Sequence, residues 1–203
     1  MGIRAFVKPR LQDLLMRQMN PLRPEALEPA HGEVLEVGFG TALNLEHYPP
    51  GVTAVTGLDP MEVGAVATVS ERIREAAFPV ERKTLRADGE LPFDAGRFDC
   101  IVTTWTLCSI PDAAAALAEM HRVLKPGGLY CFIEHGRADA ASTARWQDRI
   151  NPLWRRVCDG CNINRKIDRL VESAGFELAN LDRFRAKGPG IVAQMYRGIA
   201  TRT

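Results

Sequence analysis

The stretch Val34-Leu-Glu-Val-Gly-Phe-Gly-Thr-Ala42 restricts the fold more than any other part of the chain. An apolar, β-branched strand runs directly into a turn with two glycines, and Glu36 stands two residues before the first of them. Gly38 and Gly40 let the backbone bend sharply and approach a ligand with no Cβ atom in the way, and residues 43–47 read as the first turns of a helix. Strand, glycine turn and helix in that order form a nucleotide-type cofactor site, and spacing narrows the cofactor. A dinucleotide fingerprint needs a third glycine three residues after the second, where this chain has Leu43. A phosphate-cradling loop needs Gly-Lys-Ser/Thr after the turn, which is also missing.

Residues 53–58 read as a second buried strand ending at Asp59-Pro60, 19 residues after Gly40. A carboxylate at that offset suits two vicinal ribose hydroxyls, because it only accepts hydrogen bonds. Asp59 also suits the N-cap of a helix starting near Met61, with Pro60 at its first position. The two roles are compatible, and the register with the glycine turn favours the cofactor role. A third strand over 80–85 leads to Arg86-Ala-Asp88-Gly89, and a fourth covers 98–104. An Ala-rich helix over 113–123, the turn Lys-Pro-Gly-Gly128 and a strand over 129–133 follow. A helix over 165–174 stops at Gly175, and strands over 176–185 and 191–200, joined by a short Gly/Pro loop, pair antiparallel.

The pattern acid-x-Gly-x-Gly-x-small resembles motif I of the class I S-adenosylmethionine (SAM) dependent methyltransferases, with Ala42 where a third glycine usually stands. The phrase ADGELPFDAGRFDCIVTTWTLCSIPD over 87–112 resembles the same family. Leu107-Cys-Ser109, Glu134-His135 and Asp159-Gly-Cys-Asn162 narrow the likeness to the methyltransferase-like protein 7 group, the mammalian thiol methyltransferases and their bacterial relatives, over about residues 33 to 176. The resemblance implies an α/β fold: one domain over 33–203 with a seven-stranded, mostly parallel sheet, an antiparallel last strand and helices on both faces. It further implies a substrate-lid insert at about 135–164. The cofactor implied is S-adenosyl-L-methionine, leaving as S-adenosyl-L-homocysteine, at the carboxyl ends of the first four strands. The cofactor-binding residues implied are Glu36, Gly38, Phe39, Gly40, Thr41, Asn44, Asp59, Pro60, Met61, Asp88, Gly89, Thr104 and Trp105.

For the acceptor side, the resemblance points to a small-molecule thiol. The candidate catalytic groups are His135, just after the fifth strand, and Asp88, which faces either the adenine or the acceptor. Trp146, Trp154, Asp159 and Asn162 join His135 as substrate residues, with the aromatics, Phe39 and Trp105 among them, serving as apolar walls. Each also has a plainer reading: aromatics as core, and Asp159 and Asn162 as turn and helix-cap residues. A thiol, with a reference pKa of about 8.5, has some thiolate at neutral pH, whereas an oxygen or carbon acceptor needs a stronger base. The alternatives are O-, N- or C-methylation of a lipid, quinone or secondary metabolite, and a non-catalytic SAM-binding module.

Composition bounds the remaining options. A net charge of +1 provides no global attraction to nucleic acid, and with 46% hydrophobic residues the 203-residue chain can bury a core. No apolar run of about 18 residues is present, and the expectation is a cytoplasmic protein. Residues 1–32 read as an N-terminal cap. Within it, residues 1–23 form an amphipathic basic helix that covers the sheet or, as a second reading, touches an anionic membrane surface. The resemblance implies a membrane-embedded N-terminal anchor in the mammalian proteins, and the expectation here is this short amphipathic segment in its place. Five cysteines suit a reducing compartment. Cys158-Asp-Gly-Cys161 lacks a second ligand pair of similar spacing, so no metal is expected.

Overall fold

The computed structural model describes residues 14, 16–59, 67–85 and 89–203. Its frame is a seven-stranded sheet of β1 (Gly32–Val37), β2 (Val52–Asp59), β3 (Val80–Thr84), β4 (Phe98–Thr104), β5 (Leu124–His135), β6 (Phe176–Arg185) and β7 (Gln194–Arg202). The strand order is β3-β2-β1-β4-β5-β7-β6, and every pairing is parallel except the two made by β7. Helices α1 (Arg23–Leu27), α2 (Ala67–Glu75), α3 (Ala113–Val123), α4 (Ala141–Val157) and α5 (Ile167–Ser173) pack around it.

The central strands are apolar at consecutive positions because both faces of the sheet are covered. Successive side chains alternate between two cores. Val34, Cys100, Val102 and Cys131 join Leu27 of α1 and Val69 of α2 on one face. Leu35, Val37, Ile101, Tyr130 and Phe132 join Leu117 and Met120 of α3 and Ile167 and Val171 of α5 on the other. Asp112 caps α3 by accepting the Ala115 amide at 2.9 Å, and His121 and Arg122 lie in the last turn where the helix dipole favours positive charge.

The chain leaves β1 toward β2 and β3 on one side, while β4 and β5 extend the sheet on the other. The crevice at that reversal, at the carboxyl ends of β1 and β4, is where an open α/β sheet binds its ligand.

Several boundaries differ from those read in the sequence. The residues after the glycine turn make only a 3₁₀ turn, Leu45–His47, rather than the start of a longer helix. The Lys-Pro-Gly-Gly turn lies inside β5, where a register shift against β4 absorbs it. The last strand begins at Gln194 and the preceding helix at Ile167. The segment read as a lid insert contains a 17-residue helix, α4. Residues 1–13, Pro60, Met61 and Asp88 lie outside the described residues, so the basic helix, the helix start near Met61 and the Asp88 roles are not addressed structurally. Among the described residues, no helix is long and apolar enough to cross a membrane.

Candidate functional site

The glycine turn after β1 is fixed from below by β2. The amides of Gly38 and Phe39 both donate to the Leu58 carbonyl, at 2.8 and 3.0 Å. The Gly40 amide donates to Asp59 Oδ2 at 2.8 Å, joining the two motif positions 19 residues apart. The turn is left-handed at Gly38 (φ +87°), Gly40 (φ +51°) and Ala42 (φ +63°). Ala42, at the position of the usual third glycine, adopts a conformation that costs an L-residue about 1–2 kcal/mol.

The two glycines do different work. A Cβ on Gly38 would stand 1.9 Å from Thr106 Oγ1, so Gly38 makes room for the loop after β4 rather than for a ligand. Among the described residues, a Cβ on Gly40 would meet nothing nearer than the Gly38 carbonyl at 3.9 Å, and one on Gly89 nothing within 4 Å. The open ground in front of the turn therefore faces Gly40. Phe39 points the other way: its ring is buried against Gly57 in the core, which corrects its reading as a wall of the site.

Beneath the turn lies a buried polar cluster. Glu36 accepts hydrogen bonds from Asn44 Nδ2 at 2.9 Å and the Tyr48 hydroxyl at 2.8 Å. Asn44 also donates to Thr104 Oγ1 at 3.1 Å, and its Oδ1 accepts from the buried guanidinium of Arg23. Burial pushes the Glu36 carboxyl up to about 7, against hydrogen bonding from Tyr48 and the field of Arg23, and brings Arg23 down to about 10. Arg23 also stacks over Trp105, 4.9 Å from its centroid. Trp105 sits at φ +52°, a strained conformation for a bulky residue, and its buried indole N–H has no hydrogen-bond partner among the described residues. The sequence reading placed Glu36, Asn44, Thr104 and Trp105 together; it missed Arg23 and Tyr48.

The loop after β4 is curled by one carboxylate. Glu134, fully buried at the end of β5, accepts the amides of Thr106, Leu107 and Cys108 at 3.1, 2.9 and 3.0 Å. Burial raises its pKa, and these backbone donors oppose the rise. The curl turns Cys108 back over β5, where its sulfur lies 3.9 Å from His135 Nδ1. Cys161 completes the group, with its sulfur 3.6 Å from Cys108 Sγ and 3.7 Å from His135 Nδ1. Its hydrogen bond with Cys108, then that with His135, draw the Cys161 thiol well below its ordinary range despite burial.

Asn162 ties this group together. Its backbone and side-chain N–H groups both donate to the Cys108 carbonyl, at 2.8 and 3.1 Å, and its Oδ1 accepts from Asn151 Nδ2 at 3.2 Å. Among the remaining residues singled out in the sequence, Trp154 packs against Cys108, Cys161 and Ile163. Asp159 is exposed at φ +46°, and Thr41 offers its carbonyl to Arg72. Trp146 is 53% exposed with Arg149 over its ring, and stands apart from the cluster around His135.

The methyltransferase domain family matches residues 35–132. The human thiol S-methyltransferase TMT1A is 35% identical over 158 residues, covering 75% of this chain and 63% of the relative. The mouse thiol S-methyltransferase TMT1B is 31% identical over 170 residues, covering 79% and 69%. The chain thus spans less than two thirds of the human relative's length. A SAM-dependent methyltransferase of Thermotoga maritima shares the fold, with a TM-score of 0.66 at 19% identity and coverage of 99% and 98%.

Proposed function

The chain belongs to the class I SAM-dependent methyltransferases, grouping with the thiol S-methyltransferases, and from that premise we propose that it methylates the sulfur of a small-molecule thiol. When bound, SAM supplies an electrophilic methyl group on a cationic sulfonium. The residues present fit that donor. The open ground at Gly40 leaves space beside the turn, and Asp59 lies within hydrogen-bond distance of that glycine, at the end of β2 where a ribose carboxylate belongs. Gly40, Asn44, Asp59, Thr104 and Trp105 would hold the cofactor, with Glu36 and Arg23 fixing Asn44 and Thr104 from behind.

The chain's own contribution to methyl transfer is placement. Holding the acceptor about 3 to 3.5 Å from the methyl group and in line with it supplies roughly 7–11 kcal/mol of the barrier. Ile150, Trp154, Ile191 and Val192 give the region around Cys108 and Cys161 an apolar wall suited to an alkyl chain. A thiol needs little help to ionise, which matches a site with an imidazole at hand and no strong base among the described residues around it.

The observation that supports the sulfur acceptor most directly is the juxtaposition of Leu107-Cys-Ser109, Glu134-His135 and Asp159-Gly-Cys-Asn162. These three stretches, read as thiol-methyltransferase signatures, meet in one place beside the cofactor crevice. The test is a panel of matched alkyl thiols, phenols and amines assayed for S-adenosylhomocysteine release. Saturable turnover of thiols is expected; turnover of phenols or amines with none of any thiol would overturn the acceptor class.

A further inference from the structure

Three ligating atoms from distant parts of the chain converge beside the crevice: Cys108 Sγ, His135 Nδ1 and Cys161 Sγ, all within 4.8 Å of one another. Tetrahedral Zn²⁺, with Zn–S of about 2.3 Å and Zn–N of about 2.0–2.1 Å, sets its sulfurs about 3.8 Å apart and each sulfur about 3.6 Å from the nitrogen. The observed separations are 3.6 Å between the sulfurs and 3.7 and 3.9 Å from sulfur to nitrogen. We propose that Cys108, His135 and Cys161 bind a Zn²⁺ ion whose fourth position takes the acceptor thiol as a thiolate. This deepens the thiol-methyltransferase reading and rests on it.

The donor set selects the metal. Two thiolates and an imidazole in tetrahedral spacing suit zinc, whereas magnesium and calcium take oxygen ligands. Three protein ligands leave one position for a reacting group, the arrangement of a catalytic rather than a closed structural site. Two thiolates offset the dication, and a third sulfur would add one negative charge. Arg165 stands near to meet it: its half-buried guanidinium donates to the carbonyl of Leu107, the residue before Cys108, at 2.5 Å.

The surroundings hold all three ligands in place without the metal. Glu134 fixes the Cys108 loop through three amides. Asn162 fastens the Cys161 turn to the Cys108 carbonyl. His135 is the last residue of β5, one strand from β4 and on the same carboxyl edge as the glycine turn. On binding, the acceptor's S–H bond breaks, its proton leaves to solvent, and the sulfur lone pair forms the bond to zinc. The sulfur keeps a further lone pair for the methyl group.

The experiment uses the full chain purified under reducing conditions. Metal analysis is expected to find one Zn²⁺ per chain, lost in folded, SAM-binding Cys108→Ser and Cys161→Ser variants and retained in Cys158→Ser. Asn162→Ala is expected to weaken zinc affinity by about 10- to 100-fold. With Co²⁺ in place of zinc, butanethiol should shift the cobalt absorption saturably and butanol should not. A folded, SAM-binding protein that takes up no zinc overturns the site, as does a Cys108–Cys161 disulfide in its place. Zinc lost in Cys158→Ser but kept in Cys108→Ser overturns the ligand set, and a cobalt spectrum blind to butanethiol overturns the open position. Thiol methylation by metal-free protein would refute the zinc proposal and leave the methyltransferase reading standing. Bound zinc with no thiol turnover would instead refute that reading.

Discussion

Replacing Gly38 or Gly40 with alanine should separate two roles that share one motif. At Gly38 the new methyl would overlap Thr106, with Oγ1 at 1.9 Å and Cγ2 at 2.4 Å, and the residue would be held at φ +87°. The left-handed conformation costs about 1–2 kcal/mol, and overpacking against a fixed loop about 1–3 kcal/mol more. Reduced freedom of the unfolded chain returns about 0.4–1 kcal/mol. Gly38→Ala should therefore lose about 1–4.6 kcal/mol of stability. At Gly40 there is no clash with any described residue, and only the cost of φ +51° applies, a net loss of about 0–1.6 kcal/mol. Its methyl would instead stand in the open ground before the turn, where it should weaken SAM binding by more than its effect on stability. Urea unfolding measures the first quantity and calorimetric titration with SAM the second. A Gly38→Ala protein as stable as wild type would refute the Thr106 packing argument. Wild-type SAM affinity in Gly40→Ala would remove this turn from the cofactor site.

Other perturbations probe the neighbouring parts. Asp59→Ala should weaken SAM binding by roughly 1–3 kcal/mol through lost charge-assisted hydrogen bonds, including the one that positions Gly40. Asp59→Asn, which keeps an acceptor for the Gly40 amide, should retain stability better than affinity, and unchanged affinity in both variants would exclude Asp59 from the site. Glu36, raised by burial from its ordinary 4.5 to about 7, takes up a proton on folding between those values. Its contribution to stability is thus present at acid pH and lost as pH rises through about 7. The melting temperature of wild type should gain on that of Glu36→Gln as pH falls from 8 toward 5.5, and parallel curves would contradict the buried-carboxyl account. Glu134→Gln, which exchanges one acceptor oxygen for a donor facing three amides, should lower stability by about 1–3 kcal/mol. An unchanged melting temperature would show that the Cys108 loop is held by other means.

The sheet was readable because its strands are short apolar runs bounded by Gly, Pro and Asp, and the Gly40–Asp59 pairing because both ends obey a fixed spacing. Helix α4 was not. Ala140 gives it no side-chain cap and Pro152 interrupts its interior, so the usual start signal is missing and a breaker stands within it. Arg23 gives no signal of its own in the sequence, since nothing local marks a guanidinium that folds inward against Asn44 and Trp105. The sulfur–imidazole group stayed hidden for a similar reason. Short spacing marks only Cys158–Cys161 as a ligand pair, whereas Cys161 meets Cys108, 53 residues away, only through the curl imposed by Glu134 and the clip at Asn162. Gly38 was assigned to ligand clearance because sequence alone could not show Thr106 behind it.

The central claim is methyl transfer to sulfur, and isotope tracing tests it most directly. The protein is incubated with trideuteromethyl-labelled SAM and an acceptor carrying both a thiol and a hydroxyl group, and the product is mapped by fragmentation in the mass spectrometer. The label should appear on sulfur, in an amount equal to the S-adenosylhomocysteine released. Label on oxygen, or S-adenosylhomocysteine released with no labelled thioether, would contradict the account.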